Sequence, residues 1–346
     1  MRRSLNAALF AVLAIAGGAP AQAQDTTVRI GVVRSVANGA VLMAIEKGYF
    51  KQNKINVELE YLDSSANAIA LLAQNRLNMI AGGVSAGFFN ALEKDLPIKI
   101  TLDRVTTPIG HNLMLRPDLK DQVKSLKDLK GKVVASNGPG SISTYEVGKM
   151  LEREGLTLAD VDVKIFPFSQ YAVALANKAV DAALTIPPFT YQFIDRGLAI
   201  PFASVDELVE PKPLTIAVNM INTDWAKQNP EVARNYYVSY LRGVRDFCQG
   251  YHGAPIRSEI VDVLIKSKNE ERPELLHKFP WPARNVSGRI NAESLLDVQA
   301  WYVKNKFTNA QFPIERLVDY SYVDNAAQKL GPFELENKDS KLPGCR

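Results

Sequence analysis

Leu72-Ala73-Gln74-Asn75-Arg76-Leu77-Asn78-Met79-Ile80 returns about a hundred residues later as Leu175-Ala176-Asn177-Lys178-Ala179-Val180-Asp181-Ala182-Ala183. Each copy reads as the last turn of a helix, a polar turn and an apolar strand. The first strand runs into Ala81-Gly82-Gly83-Val84-Ser85-Ala86-Gly87, the second into Thr185-Ile186-Pro187-Pro188-Phe189. Two such halves predict an α/β chain of two lobes. Open α/β sheets bind ligands outside the carboxyl ends of their strands, so the repeat predicts one cleft facing both lobes and capture of a small molecule.

Outward from the repeat, Val28 to Val33, Val57 to Leu62, Met79 to Gly82 and Ile98 to Leu102 read as strands. A helix from about Ala40 to Gly48 and another capped by Asp63-Ser64-Ser65 separate them. This β-α-β alternation predicts parallel pairing. A second block begins after His111-Asn112-Leu113-Met114-Leu115 and contains a polar helix and turn at Ser125 to Lys132. Strands follow at Val133 to Ala135, Val163 to Phe166 and Ala182 to Ile186, and Ser136 to Thr144 opens a helix through about Glu154. Leu214 to Val218 reads as a strand returning to the first lobe, and from Thr223 the pattern is mostly helical. Crossings near Gly110 and Pro211 to Pro213 predict a double-stranded hinge between lobe I (24–110 and 213–346) and lobe II (111–212). Such crossings let two lobes close on each other.

Arg2 and Arg3, the apolar run Leu5 to Ala16, and Ala19-Pro20-Ala21-Gln22-Ala23-Gln24 stand in the order of a secretory leader, expected over residues 1–23. The run is too short to span a bilayer, and no cysteine follows the expected cut, so the mature chain is expected to be soluble and exported. Removing Arg2 and Arg3 takes the formal charge from +4 to +2, a balance that argues against nucleic acid as partner. Cys248 and Cys345 are the two cysteines. In an oxidising compartment they either bridge, pinning the tail, or stay as free thiols. His111, His252 and His277 have no metal-ligand spacing, and neither metal nor cofactor is expected.

Three loops join hydroxyls to a helix start: Asp63-Ser64-Ser65, Gly83-Val84-Ser85 and Gly140-Ser141-Ile142-Ser143-Thr144. A helix N-terminus offers unpaired N–H groups and partial positive charge to an anion; the competing role of such hydroxyls is to cap their own helix. Three in matching positions favour a shared site. Arg34 and Arg104 each lie just past a predicted strand, either against an acidic ligand or as surface residues. Phe168, Tyr171, Tyr145 and Phe189 are the aromatic candidates for the cleft. Gly83-Val84-Ser85-Ala86-Gly87 also fits the nucleophile elbow of a serine hydrolase, with His252 or His277 as base. Gly138-Pro139-Gly140 lacks the rest of a nucleotide fingerprint.

Val28-Arg29-Ile30-Gly31, Ala44-Ile45-Glu46-Lys47-Gly48-Tyr49-Phe50, Leu96-Pro97-Ile98-Lys99-Ile100, Ser125-Leu126-Lys127-Asp128-Leu129-Lys130-Gly131-Lys132 and Gly140-Ser141 stand in one order. Over Val28 to Ala203 the chain resembles the nitrate/sulfonate/taurine-type solute-binding proteins of ABC importers, relatives of the thiamine-pyrimidine-binding proteins. The resemblance implies a type II periplasmic binding fold, a monomer in the periplasm, and a permease in the inner membrane as partner, with no chemistry of its own. Carried over, ligand contacts fall on Arg34, Ser35 and Asn38, on Ser64, Ser65, Gly83 and Ser85, on Gly140, Ser141, Ser143 and Thr144, and on Pro188 and Phe189. The implied ligand is a small organic anion, a sulfonate or carboxylate. The pattern departs from the family at Ile186-Pro187-Pro188, where relatives often carry Trp-Glu-Pro, and the glycine usual after the repeated Ala-Leu is absent, with Asn75 and Lys178 nearby instead. The pyrimidine-synthesis relatives use an iron-binding cysteine cluster, which two separated cysteines do not supply.

Overall fold

The computed structural model describes residues 25–346; the leader expected over residues 1–23 lies outside them. Ten strands form two five-stranded sheets. The first holds β1 (Thr26–Val33), β2 (Ile55–Leu62), β3 (Met79–Gly83), β4 (Ile98–Val105) and β10 (Ala217–Asn222). The second holds β5 (Asn112–Leu115), β6 (Val133–Ser136), β7 (Asp162–Ile165), β8 (Ala182–Thr185) and β9 (Ile200–Ser204). Their orders, β2-β1-β3-β10-β4 and β7-β6-β8-β5-β9, are the same pattern. β1 pairs in parallel with β2 and β3, as β6 does with β7 and β8. In each sheet, the strand that follows a passage between sheets runs antiparallel beside the third strand.

The repeated phrase is one local structure built twice. Helices Ile69–Ala73 and Tyr171–Ala176 end there. Asn75 and Lys178 both take the left-handed conformation at φ 56°. Arg76 N donates to Leu71 O and Ala179 N to Ala174 O, each at 2.9 Å. A left-handed residue closing the last turn is the usual way to satisfy helix-end carbonyls, and glycine is the residue that adopts it without steric cost.

Three elements differ from the sequence expectations. The returning strand lies at Ala217–Asn222 rather than Leu214 to Val218. Leu214 and Ile216 are fully buried, but Leu214 N and Thr215 N are taken by the hydroxyls of Thr107 and Ser294, both at 2.9 Å. The apolar run fills the passage between sheets, while Asn219 and Asn222 mask the true strand. Ser125 to Lys132 makes a single tight helical turn, Leu126–Leu129, closed by a Ser125–Asp128 capping box. Ile200–Ser204 is an edge strand that no alternating pattern announced.

Behind the first sheet, helix Pro230–Tyr251 packs on helix Gly39–Glu46. Gly243 permits the approach, since a Cβ there would stand 2.2 Å from Ala40 O. Cys248 on that helix is disulfide-bonded to Cys345, across 97 residues and a Cα–Cα distance of 5.2 Å. The open question of bridge or free thiols is thereby resolved for the bridge.

Candidate functional site

The two sheets point their strand ends at one cavity. Val33, Gly82 with Gly83, and Val105 lie at the carboxyl ends of β1, β3 and β4, and Ala217 opens the antiparallel β10. From the other side come Asn137 after β6, Phe168 after β7, Ile186 after β8 and His111 before the antiparallel β5. Loops of the two sides touch: Ala86 N donates to Gly140 O at 2.9 Å and Val36 N to Pro187 O at 3.3 Å.

Of the residues singled out in the sequence, Ser35, Ser65, Gly83, Ser85, Ser141 and Ser143 line this cavity. Two of these five hydroxyls are firmly engaged. Ser35 Oγ donates to Pro187 O at 3.2 Å and accepts from Ala37 N at 3.1 Å, and Ser65 Oγ donates to Gly83 O at 3.2 Å. Ser141 and Ser143 make only long contacts, 3.4 Å to Thr144 Oγ1 and 3.5 Å to Asn137 Oδ1. Ser85 Oγ is buried with no partner. Ser85 opens helix Ala86–Glu93 and Ser141 opens Ile142–Glu152, so two helix N-termini meet here.

Phe168 lines it too, whereas Arg34, Asn38, Ser64, Gly140, Thr144, Pro188 and Phe189 stand outside the lining. Arg34 lies over the Tyr61 ring at 3.9 Å and donates to Ser267 O and Lys268 O at 3.1 and 2.9 Å. Asn38 sits behind the cavity wall, donating to Val33 O and Asn269 Oδ1 at 2.9 and 2.6 Å. Ser64 is buried beside Gly138. Gly140 and Thr144 border a separate groove with Phe307. Pro188 precedes helix Phe189–Asp195, and Phe189 stacks on Phe168 at 5.6 Å in an outer hollow. His252 is bonded to Ser340 Oγ and Cys345 O at 2.7 and 3.1 Å, and with His277 borders a hollow in the C-terminal helical layer. Neither histidine faces Ser85, so the elbow motif lacks the base assigned to it.

Arg104 is the residue whose character the sequence left open, and the structure buries it. It is 3% exposed, lines the cavity, and donates through Nη2 to Asn38 Oδ1, while its Nε has no partner. Arg284 lies behind it, 1% exposed, donating to Arg104 O and Ala37 O at 2.5 and 2.6 Å. Burial pushes Arg284 down to about 10, with the Arg104 charge adding to the effect, so it stays protonated at neutral pH. The carboxyl beside them, Asp103, is held well above the usual carboxylate range by burial. Among the described residues, the arginines that form ion pairs are Arg29, Arg116, Arg272, Arg289 and Arg316. Neither buried guanidinium forms an ion pair among the described residues; Arg284 alone feels the Asp103 charge, and even an ionised Asp103 leaves positive charge over. An uncompensated buried charge is expensive, and an anion in the cavity would relieve it.

His111 and Asn137 also line the cavity, and sequence reasoning did not place them there. His111 Nδ1 is 2.8 Å from Glu146 Oε1, and Glu146 is fully buried. Its only sequence signal was its position next to Gly110 at a passage between the sheets.

Two sheets of this order enclosing one cavity define the type II periplasmic binding fold. The nitrate-binding protein NrtA of Synechocystis has it, with a TM-score of 0.72 at 14% identity over 92% of each chain. The alkanesulfonate-binding protein SsuA of Xanthomonas axonopodis, solved with MOPS, gives 0.68 at 16% identity over 86% of this chain and all of that one. The fold also carries the desulfurization enzyme DSZB, at 0.64 and 13% identity over 88% of this chain and all of that one. The chain belongs to the NMT1/THI5-like family, whose profile matches residues 37–249. Among curated proteins it is 24% identical to the riboflavin-binding protein RibY of Chloroflexus aurantiacus over 64% of this chain. It is 28% identical to a Haemophilus influenzae protein named for thiamine biosynthesis over 42% of this chain. The matches span 62% and 45% of the length of those two relatives.

Proposed function

We propose that the protein is the periplasmic solute-binding component of an ABC importer, a monomer that captures a small organic anion and hands it unchanged to an inner-membrane permease. The observation that carries the reading is the buried, unpaired positive charge of Arg104 and Arg284 at a cavity shared by two sheets. The class of the similar structures NrtA and SsuA supports it. The anionic head, sulfonate or carboxylate, lies toward Arg104, Ser85 Oγ and the N-terminus of helix Ala86–Glu93. Ser141, Ser143 and the N-terminus of helix Ile142–Glu152 approach from the other side. Val33, Val105, Ile142, Phe168 and Ile186 cover an apolar or aromatic body. Lobes spanning 24–110 with 213–346 and 111–212 hinge at their two connections, and the ligand stabilises the closed form by its higher affinity for it. Residues 1–23 serve as the export leader.

A thermal-shift screen over alkyl and aryl sulfonates, carboxylates and their neutral amide counterparts tests the reading. A tight ligand raises the melting temperature by mass action; the expected result is stabilisation by anions and none by the amides. Stabilisation by neutral or cationic compounds alone, or turnover of any compound added, overturns it.

A further inference from the structure

His111 and Glu146 form a buried titratable pair that anion capture leaves unused. The imidazole lines the cavity and its Nδ1 meets Glu146 Oε1 at 2.8 Å. Glu146, on helix Ile142–Glu152, is fully buried and its Oε2 has no partner among the described residues. An ionised carboxylate can only accept, so with a neutral ring this bond places the proton on Nδ1 and leaves Nε2 as an acceptor. No described residue hydrogen-bonds Nε2. The cavity thus offers donors from Arg104, Ser85 and the two helix starts, and at His111 a lone pair of fixed direction.

We infer that His111 reads a hydrogen-bond donor on the ligand, with Glu146 as the positioning residue that sets its tautomer. The guest is then an organic anion that carries an uncharged O–H or N–H group away from its charged head, such as a hydroxysulfonate or hydroxycarboxylate. This rests on the anion-capture reading and narrows its ligand class. A guest lacking the donor would desolvate Nε2 without replacing its bond to water, and buried polar groups left unpaired are what discriminate such analogues.

Calorimetric titration of the full chain at about pH 8 tests it with matched probes. These are 4-hydroxybenzenesulfonate against benzenesulfonate, and 2-hydroxyethanesulfonate against ethanesulfonate. In at least one pair the hydroxylated member is expected to bind about tenfold tighter. His111→Leu removes that preference, so that the two members of each pair bind alike. Glu146→Gln, whose amide oxygen still accepts from Nδ1–H, keeps the preference; Glu146→Leu loses it. In the unaltered chain, the His111 Nε2 nitrogen resonance shifts on adding the hydroxylated probe and not its counterpart, a readout independent of how the variants fold. Equal affinities within both pairs, or a preference that survives His111→Leu, overturn the inference while leaving anion capture intact. Absence of binding by all four probes, or probe affinities unmoved by Arg104→Gln, overturns both.

Discussion

The sheet β2-β1-β3-β10-β4 and the sheet β7-β6-β8-β5-β9 have one topology, yet their loops bring different chemistry to the cavity. The first side supplies Arg104, backed by Arg284, Asn38 and Asn269 and braced by helix Pro230–Tyr251 and the Cys248–Cys345 bond. Both sides supply hydroxyls and a helix start, and the second adds the His111–Glu146 pair where the first has Arg104. The second side has a smaller core and leaves Ile165 on its edge strand 44% exposed. A repeated scaffold can thus hold a buried guanidinium on one side and an imidazole–carboxylate pair on the other, because strand order fixes where loops stand and not what they carry.

The sharpest way to break this comparison is to remove the charge. Arg104→Gln is expected to weaken anion binding by about 2–5 kcal/mol, as loss of one partner from a buried charge pair does, measured by calorimetry. An unchanged affinity would overturn anion capture at Arg104. Next, Cys345→Ser is expected to lower stability by about 2–4 kcal/mol, read from denaturant unfolding. The loss should fall on the first side, so hydrogen exchange in β6 to β8 should change less than in β1 to β3. Ser85→Ala removes a buried hydroxyl with no partner in the protein. It should weaken binding by about 1–2 kcal/mol with little effect on melting. Ser35→Ala should instead lower stability, because Ser35 caps a helical turn and reaches Pro187 across the cavity.

Two smaller effects sharpen the picture. Lys178→Gly should stabilise the protein by about 1 kcal/mol by relieving a left-handed side chain. Asn75→Gly should gain less, since asparagine tolerates that conformation and its Oδ1 accepts from Asn78 at 3.0 Å. Finally, Glu93 is held down at about 2 by the Thr308 hydroxyl and the N–H groups of Ala310 and Asn309. A depressed carboxylate stabilises above its unfolded value near 4.5 and loses that contribution as pH falls toward 2. Glu93→Gln should flatten the acid limb of the stability curve over that range, and an unchanged limb would count against the ionised contact.

The repeated phrase Leu72 to Ile80 and Leu175 to Ala183, with the loops that follow, was enough by itself to show two α/β halves and the strand ends at which a cavity would form. Local signals sufficed there because helix ends, turns and strands depend on neighbouring residues. Six of the loop residues named from sequence meet in the cavity. Arg34, Asn38, Ser64, Gly140, Thr144, Pro188 and Phe189 stand aside, because loop membership does not determine side-chain direction. Only the tertiary structure distinguished Arg34, splayed on Tyr61, from Arg104, buried at the wall. It alone brought His111 to Glu146 and Cys248 to Cys345. Desolvation, unpaired charge and pairing across long stretches of chain arise from distant segments packing together, and no local pattern encodes them.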